Sequence, residues 1–163
     1  MNITMTHPLF IDVEASHADE NAFPTSIAWS LPDGTLKSVI ISPDSDWDPW
    51  ENASPDIDIQ LLMDQGVSGP DVIREMNEDL DGQTVFVDGL DEDEALLELL
   101  FETYNNTFGF ELATIAQLHT KHKLEDLLVV RQQVADEYQF NLDLAEDNVQ
   151  ALLHLSERLG SGK

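Results

Sequence analysis

An α/β layered domain, with a mixed sheet flanked by helices, is the fold the sequence predicts. Three observations lead to it. Short β-branched and aromatic runs separated by turn residues open the chain. A later run of the same kind is followed directly by helical spacing. The rest reads as helix after helix. Of the 163 residues, 42% are hydrophobic, enough to form a core despite the charge. The length suits one domain, expected over 1–159, with 160–163 as a flexible tail.

The first strand is expected over Pro8 to Ala15, a short and partly β-branched run before the polar stretch Ser16 to Asn21. Thr25 to Leu31 reads as the second. Pro32-Asp33-Gly34 is a turn, because proline presets φ and glycine accepts a positive φ. Thr35 to Ser42 returns as the third strand, giving an antiparallel meander. Pro43 to Gly69 carries Pro43, Pro49 and Pro55, Trp47 and Trp50, and many aspartates. It reads as a long loop with one short helix around Ile59 to Met63. Such a loop is either functional or a surface loop pinned by its tryptophans. Pro70 to Leu80 has apolar residues at helical spacing, with proline in the first turn after Ser68 and Asp81-Gly82 as its close. Thr84 to Val87 is the fourth strand and the parallel member of the sheet. Glu92 to Asn105 is a leucine-rich helix. Leu112 to Tyr138 reads as one or two helices with a break near His119 to His122. Asp143 to Leu159 is an amphipathic helix whose inner side carries Ala145, Val149, Leu152, Leu153 and Leu159.

Thirty-three acids against seven bases give a formal net charge of −26. Seven bases cannot build the cationic patch that most nucleic-acid binders use. Three readings of the charge stand. It is a solvated surface, for solubility or a salty cytoplasm; or it holds a carboxylate site for divalent cations; or it mimics nucleic acid. The absence of cysteine excludes disulfides, thiolate zinc sites and a cysteine nucleophile. No apolar run reaches the ~18 residues of a membrane span. No basic segment precedes an apolar one at the N-terminus, so no signal peptide is expected. A cytoplasmic protein without a membrane partner is the expectation.

Asp12 and Glu14 are the sharpest pair. Residues i and i+2 of a strand share a face. Burying two acids without partners is costly, and a hard divalent cation such as Mg²⁺ or Mn²⁺ would relieve that cost. The plain alternative is an exposed strand end. The run Phe10-Ile11-Asp12-Val13-Glu14-Ala15-Ser16, with Phe23-Pro24, Ile27-Ala28-Trp29 and the Asp33-Gly34 hairpin, resembles the opening of DEDD-type 3′–5′ exonucleases. The likeness is to small bacterial members, which have a tryptophan loop like Trp47-Asp48-Pro49-Trp50 and a later strand like Val85-Phe86-Val87-Asp88.

The resemblance implies a ribonuclease H-like fold and places three motifs. The first is Asp12 and Glu14. The second is an aspartate at the start of the helix after the fourth strand, where Asp93 is expected and Asp88 and Asp91 are rivals. Helix capping also favours acids in such a run. The third is an aspartate on the final helix, expected at Asp147. The family places a histidine five residues before it, but Leu142 stands there. The tyrosine variant of the family would place its tyrosine at 143, which is Asp143. The usual general base is therefore missing.

What the resemblance implies is a centre in which Asp12, Glu14, Asp93 and Asp147 hold two Mg²⁺ or Mn²⁺ ions. The implied reaction is hydrolysis from the 3′ end of short single-stranded RNA or DNA, impaired by Leu142. The alternative is an inactive exonuclease-fold module that binds or regulates a partner through its acidic surface. A homodimer is a further expected association. His17, just after the first motif, is the preferred substitute base. His7, His119, His122 and His154 are expected to be surface or packing residues. No glycine-rich phosphate loop, nucleophile elbow or zinc motif occurs.

Overall fold

The computed structural model describes residues 6–17, 20–89 and 92–160. A five-stranded sheet in the order β3-β2-β1-β4-β5 runs through it, flanked by six helices. The strands are β1 (Leu9–Ala15), β2 (Pro24–Ser30), β3 (Leu36–Ile40), β4 (Thr84–Val87) and β5 (Glu111–Thr114). The β1-β2 and β2-β3 pairs are antiparallel, and the β1-β4 and β4-β5 pairs are parallel. The mixed sheet of the expected α/β class is therefore present, in an arrangement consistent with a ribonuclease H-like fold.

Local chemistry explains the elements. The β2-β3 connection closes with Gly34 N–H donating to Leu31 C=O at 2.9 Å, and Gly34 sits at φ +86°, a conformation in which a side chain would be strained. The helices are α1 (Ile59–Gln65), α2 (Gly69–Leu80), α3 (Glu92–Thr103), α4 (Ile115–Leu118), α5 (Leu124–Tyr138) and α6 (Ala145–Leu159). Asp58 caps α1, and Ser68 caps α2 ahead of Pro70. The long segment after β3 is pinned by Trp47, which stacks on Phe23 at 5.7 Å and donates Nε1–H to Thr103 Oγ1 at 2.9 Å. Trp50 stays outside.

One stretch differs from expectation. The sequence reads Leu112 to Tyr138 as one or two helices, yet the stretch opens as the edge strand β5 before α4 and α5. Four residues are too few to show alternation, and Leu112 and Ala113 are good helix formers. Pairing along β4, from Thr84↔Glu111 to Val87↔Thr114, overrides that local preference. The break itself falls at His119 to Lys123.

The sheet separates two apolar clusters. Leu9, Ile11 and Val13 of β1 pack with Val72, Met76, Leu97 and Phe101 of α2 and α3. Phe10 packs with Leu127 of α5 and Val149 and Leu152 of α6. The even positions of β1 therefore face α5 and α6, and that face continues through Asp12 and Glu14. Among the described residues no helix is long and apolar enough to cross a membrane.

Candidate metal centre

The site forms where β1 outruns β4. Their ladder covers only Leu9↔Val85 and Phe10↔Phe86. β4 ends at Val87 and the chain turns through Asp88 and Gly89, which is at φ +92°. Past that ladder, Val13 N–H donates to Asp93 Oδ1 at 2.9 Å. Asp93 lies in the first turn of α3, so the strand's unpaired amide and the helix start hold one another. Asp12, Asp88 and Asp93 thus meet, each 5% exposed, with one carboxylate oxygen from each lying within 4.8 Å of the others.

Three buried acids repel. Asp12 is pushed up to about 9, first by burial, then by its hydrogen bond with Glu14 and by the charges of Glu14 and Asp88. Asp93 is pushed up to about 8, again first by burial, then by the charges of Asp12 and Asp88, while the Val13 amide opposes the rise. Glu14, half-buried at the rim, is also raised, mainly by burial and further by the charges of Asp93, Asp143 and Asp88. The Asp12 hydrogen bond works against that rise. The Asp12 Oδ2 atom is buried with no protein partner in conventional donor geometry.

Two residues close the centre from the α5-α6 side. Arg131 of α5 donates from Nη1 to Asp88 Oδ2 and to Asn148 Oδ1, both at 3.0 Å. Asn148 of α6 donates from Nδ2 to Asp88 Oδ2 at 3.3 Å, and its side chain also meets Asp12. Arg131 and Asp88 form a largely buried ion pair.

The structure brings Asp12 and Asp93 together and sets Glu14 beside them. Asp88, expected only as a rival to Asp93, joins rather than replaces it. Asp91 lies outside the described residues. Asp147 is not in the cluster, and its Oδ2 accepts the Asn141 N–H at 2.9 Å instead. The residue of α6 that reaches the acids is its neighbour Asn148. Leu142 is half-buried, and the residue five before Asn148 is Asp143, exposed and near enough to push up Glu14.

Sequence reasoning missed Asn148 and Arg131. A signal for Asn148 existed: with Ala145, Val149 and Leu152 it completes the i, i+3, i+4, i+7 inner stripe of α6, and all four are buried. Nothing local marks Arg131, whose place depends on how α5 packs.

The histidines other than His17 are surface or packing residues, as expected, and His122 is exposed. His119 is buried with Nε2 at 2.7 Å from Ser156 Oγ, and burial lowers its pKa. His154 stacks on Tyr138 at 4.4 Å. His7 lies against the Gly34 turn. His17 is half-buried with Nε2 lacking a partner, and it lines a cavity of about 330 Å³ with Ala15, Ala22 and Leu96, beyond the Glu14 end of β1.

The donor set is all hard oxygen, and it includes an orphaned buried carboxylate oxygen. Both features fit a hard divalent cation. No protein-family model matches the sequence, and no curated protein matches it significantly.

Proposed function

We propose that this protein is a divalent-metal-dependent 3′–5′ exonuclease of low turnover, acting on short single-stranded RNA or DNA. The observation that carries the reading is the buried Asp12 oxygen without a partner, inside a cluster of three carboxylates at the centre of a mixed sheet. Its direction toward nucleic acid rests on the resemblance of the β1 run to the first motif of that exonuclease class.

The reaction is attack of water on the terminal phosphodiester. The P–O3′ bond breaks and a nucleoside 5′-monophosphate leaves. Asp12, Asp88 and Asp93 would hold Mg²⁺ or Mn²⁺, which when bound supplies water activation and charge stabilisation. The cation also offsets the local negative charge that would otherwise repel the phosphate. Glu14 and Asp143, at the rim, are the groups placed to accept the water's proton where the family uses histidine. Aspartate and glutamate are weaker bases than histidine near neutral pH, so turnover is slow.

A second reading is favoured by one specific feature. The Arg131–Asp88 pair already neutralises part of the cluster from within the chain, as a centre that had lost catalysis would allow. In that case the fold serves as an acidic binding or regulatory module.

The test is digestion of a 5′-labelled single-stranded oligonucleotide, as RNA and as DNA, with Mn²⁺ in high salt. Stepwise shortening from the 3′ end, abolished in Asp12→Asn, supports the exonuclease. Intact substrate of both kinds, with Mn²⁺ demonstrably bound, overturns it and leaves the binding module.

A further inference from the structure

We propose that the carboxylate centre takes one divalent cation per chain rather than two, because the Arg131 guanidinium occupies the second cation's place between Asp88 and Asn148. The inference rests on the metal-binding reading above and sets its stoichiometry.

The cluster alone would say little. What gives it weight is Asp12, 5% exposed, whose buried Oδ2 has no protein partner beside Asp88 and Asp93. Among the described residues no cationic side chain bonds that oxygen, whereas the other side of the cluster has Arg131. Arg131 Nη1 lies 3.0 Å from both Asp88 Oδ2 and Asn148 Oδ1, and the Asn148 amide donates to the same Asp88 oxygen. Both polar atoms of Asn148 are thereby engaged within the chain. A second ion held from α6 would have to take Asn148 Oδ1 and Asp88 Oδ2 as ligands. It would then sit where Arg131 now donates, against a fixed positive charge.

Charge balance among the buried acids points the same way. Asp12, Asp88 and Asp93, if ionised, face one guanidinium, a formal excess of two negative charges that one divalent cation offsets. A second would place net positive charge beside an arginine that cannot lose its proton. Position 148 contributes to this result. An asparagine there adds no charge, and its carbonyl oxygen serves as an acceptor for the guanidinium.

Arg131 therefore acts as a positioning residue. It fixes Asp88 and Asn148, excludes the second ion, and leaves the Asp12 side open for the first.

The test counts Mn²⁺ by equilibrium dialysis on the full chain, taken as the difference from Asp12→Asn so that weak binding to exposed acids cancels. Electron paramagnetic resonance of the same samples reports whether ions are coupled. The expected wild-type result is one ion with an uncoupled six-line spectrum. The double variant Arg131→Gln/Asn148→Asp should double the count to two and give a coupled spectrum. Two coupled ions in the wild type would overturn the inference while leaving the metal centre intact. A double variant that folds by circular dichroism and still binds one ion would also overturn it. Zero ions in the wild type would remove the metal reading and this inference with it. The wild-type count decides the question even if the double variant fails to fold.

Discussion

Burial holds the Asp12 carboxyl far above the usual carboxylate range, and this sets how the metal-free protein responds to pH. In the unfolded chain it titrates near 3.8, and in the fold near 9. Between those values the native state keeps a proton that the unfolded state has released, so stability falls as pH rises. Asp93, pushed up to about 8, has the same sign. The contribution is complete below the unfolded value and is lost as pH climbs through the folded one. Free carboxylates have ionised and free imidazoles have lost their protons above about pH 7.5, so the window from there to about pH 9 reports on the buried pair. In the presence of a chelator, the melting temperature should fall across this window. Asp12→Asn, which cannot ionise, should melt higher at the alkaline end and give a flatter curve. Parallel curves for the two proteins would show that Asp12 is ionised throughout. The same residue governs the response to metal. At a concentration 100-fold above Kd, Mn²⁺ should stabilise the fold by about 2.7 kcal/mol. For a chain of this size that is a rise of roughly 5–10 °C in Tm. Asp12→Asn should remove most of it.

At the scale of elements, the phase of α6 decides which residues belong to the site. One residue along a helix is a rotation of about 100°. That step separates Asp147, which accepts the Asn141 amide, from Asn148, which bonds Asp88 and Arg131. Asp147→Ala should therefore leave Mn²⁺ affinity unchanged in calorimetric titration; a large loss would mean that α6 turns in solution. On the exonuclease reading proposed above, counting back five residues from Asn148 places the histidine of the resembled family at Asp143. On that reading, Asp143→His should raise the rate of 3′-end hydrolysis by about 10²–10⁴-fold, read in kcat, whereas Leu142→His should not. Equal gains from both would mean that the loop before α6 is not fixed.

The same helix shows what the sequence could and could not disclose. Period-two alternation placed the β1 acids, and Ser68-x-Pro70 marked the start of α2. Both are local signals that tertiary packing reinforces. The choice between Asp88 and Asp93 was beyond local reasoning, because the end of β4 and the start of α3 converge on β1 and recruit both. Arg131 was hidden for a related reason. Its partners are 43 and 17 residues away in the chain, and no spacing rule spans such distances. β5 was concealed by brevity, since an edge strand of four residues is specified by its neighbour more than by itself.

The whole molecule is dominated by its charge, 33 acids to seven bases. Four of the bases are already engaged. Lys37 meets Glu75 and Asp79, Arg74 meets Asp71 and Glu78, Arg131 meets Asp88, and Arg158 meets Glu137. Most acids therefore face solvent and other acids. Salt acts on the two populations in opposite directions. It weakens the exposed pairs, but each of those is worth only about 0–1 kcal/mol. It also screens repulsion among the many unpaired carboxylates, reducing its reach from about 10 Å at 0.1 M to about 3 Å at 1 M. The repulsive pairs far outnumber the attractive ones, so the net effect should be stabilising. Molar potassium chloride, with a chelator present to exclude divalent ions, should raise the melting temperature by several degrees over low-salt buffer. The buried Arg131–Asp88 pair is shielded from solvent and should contribute little to the change. Arg131→Gln should therefore show the same salt increment as wild type from a lower starting point. A melting temperature that does not move with salt would mean that the surface acids are spaced widely enough to ignore one another. The net charge would then bear on solubility and on which partners can approach, and not on the stability of the fold.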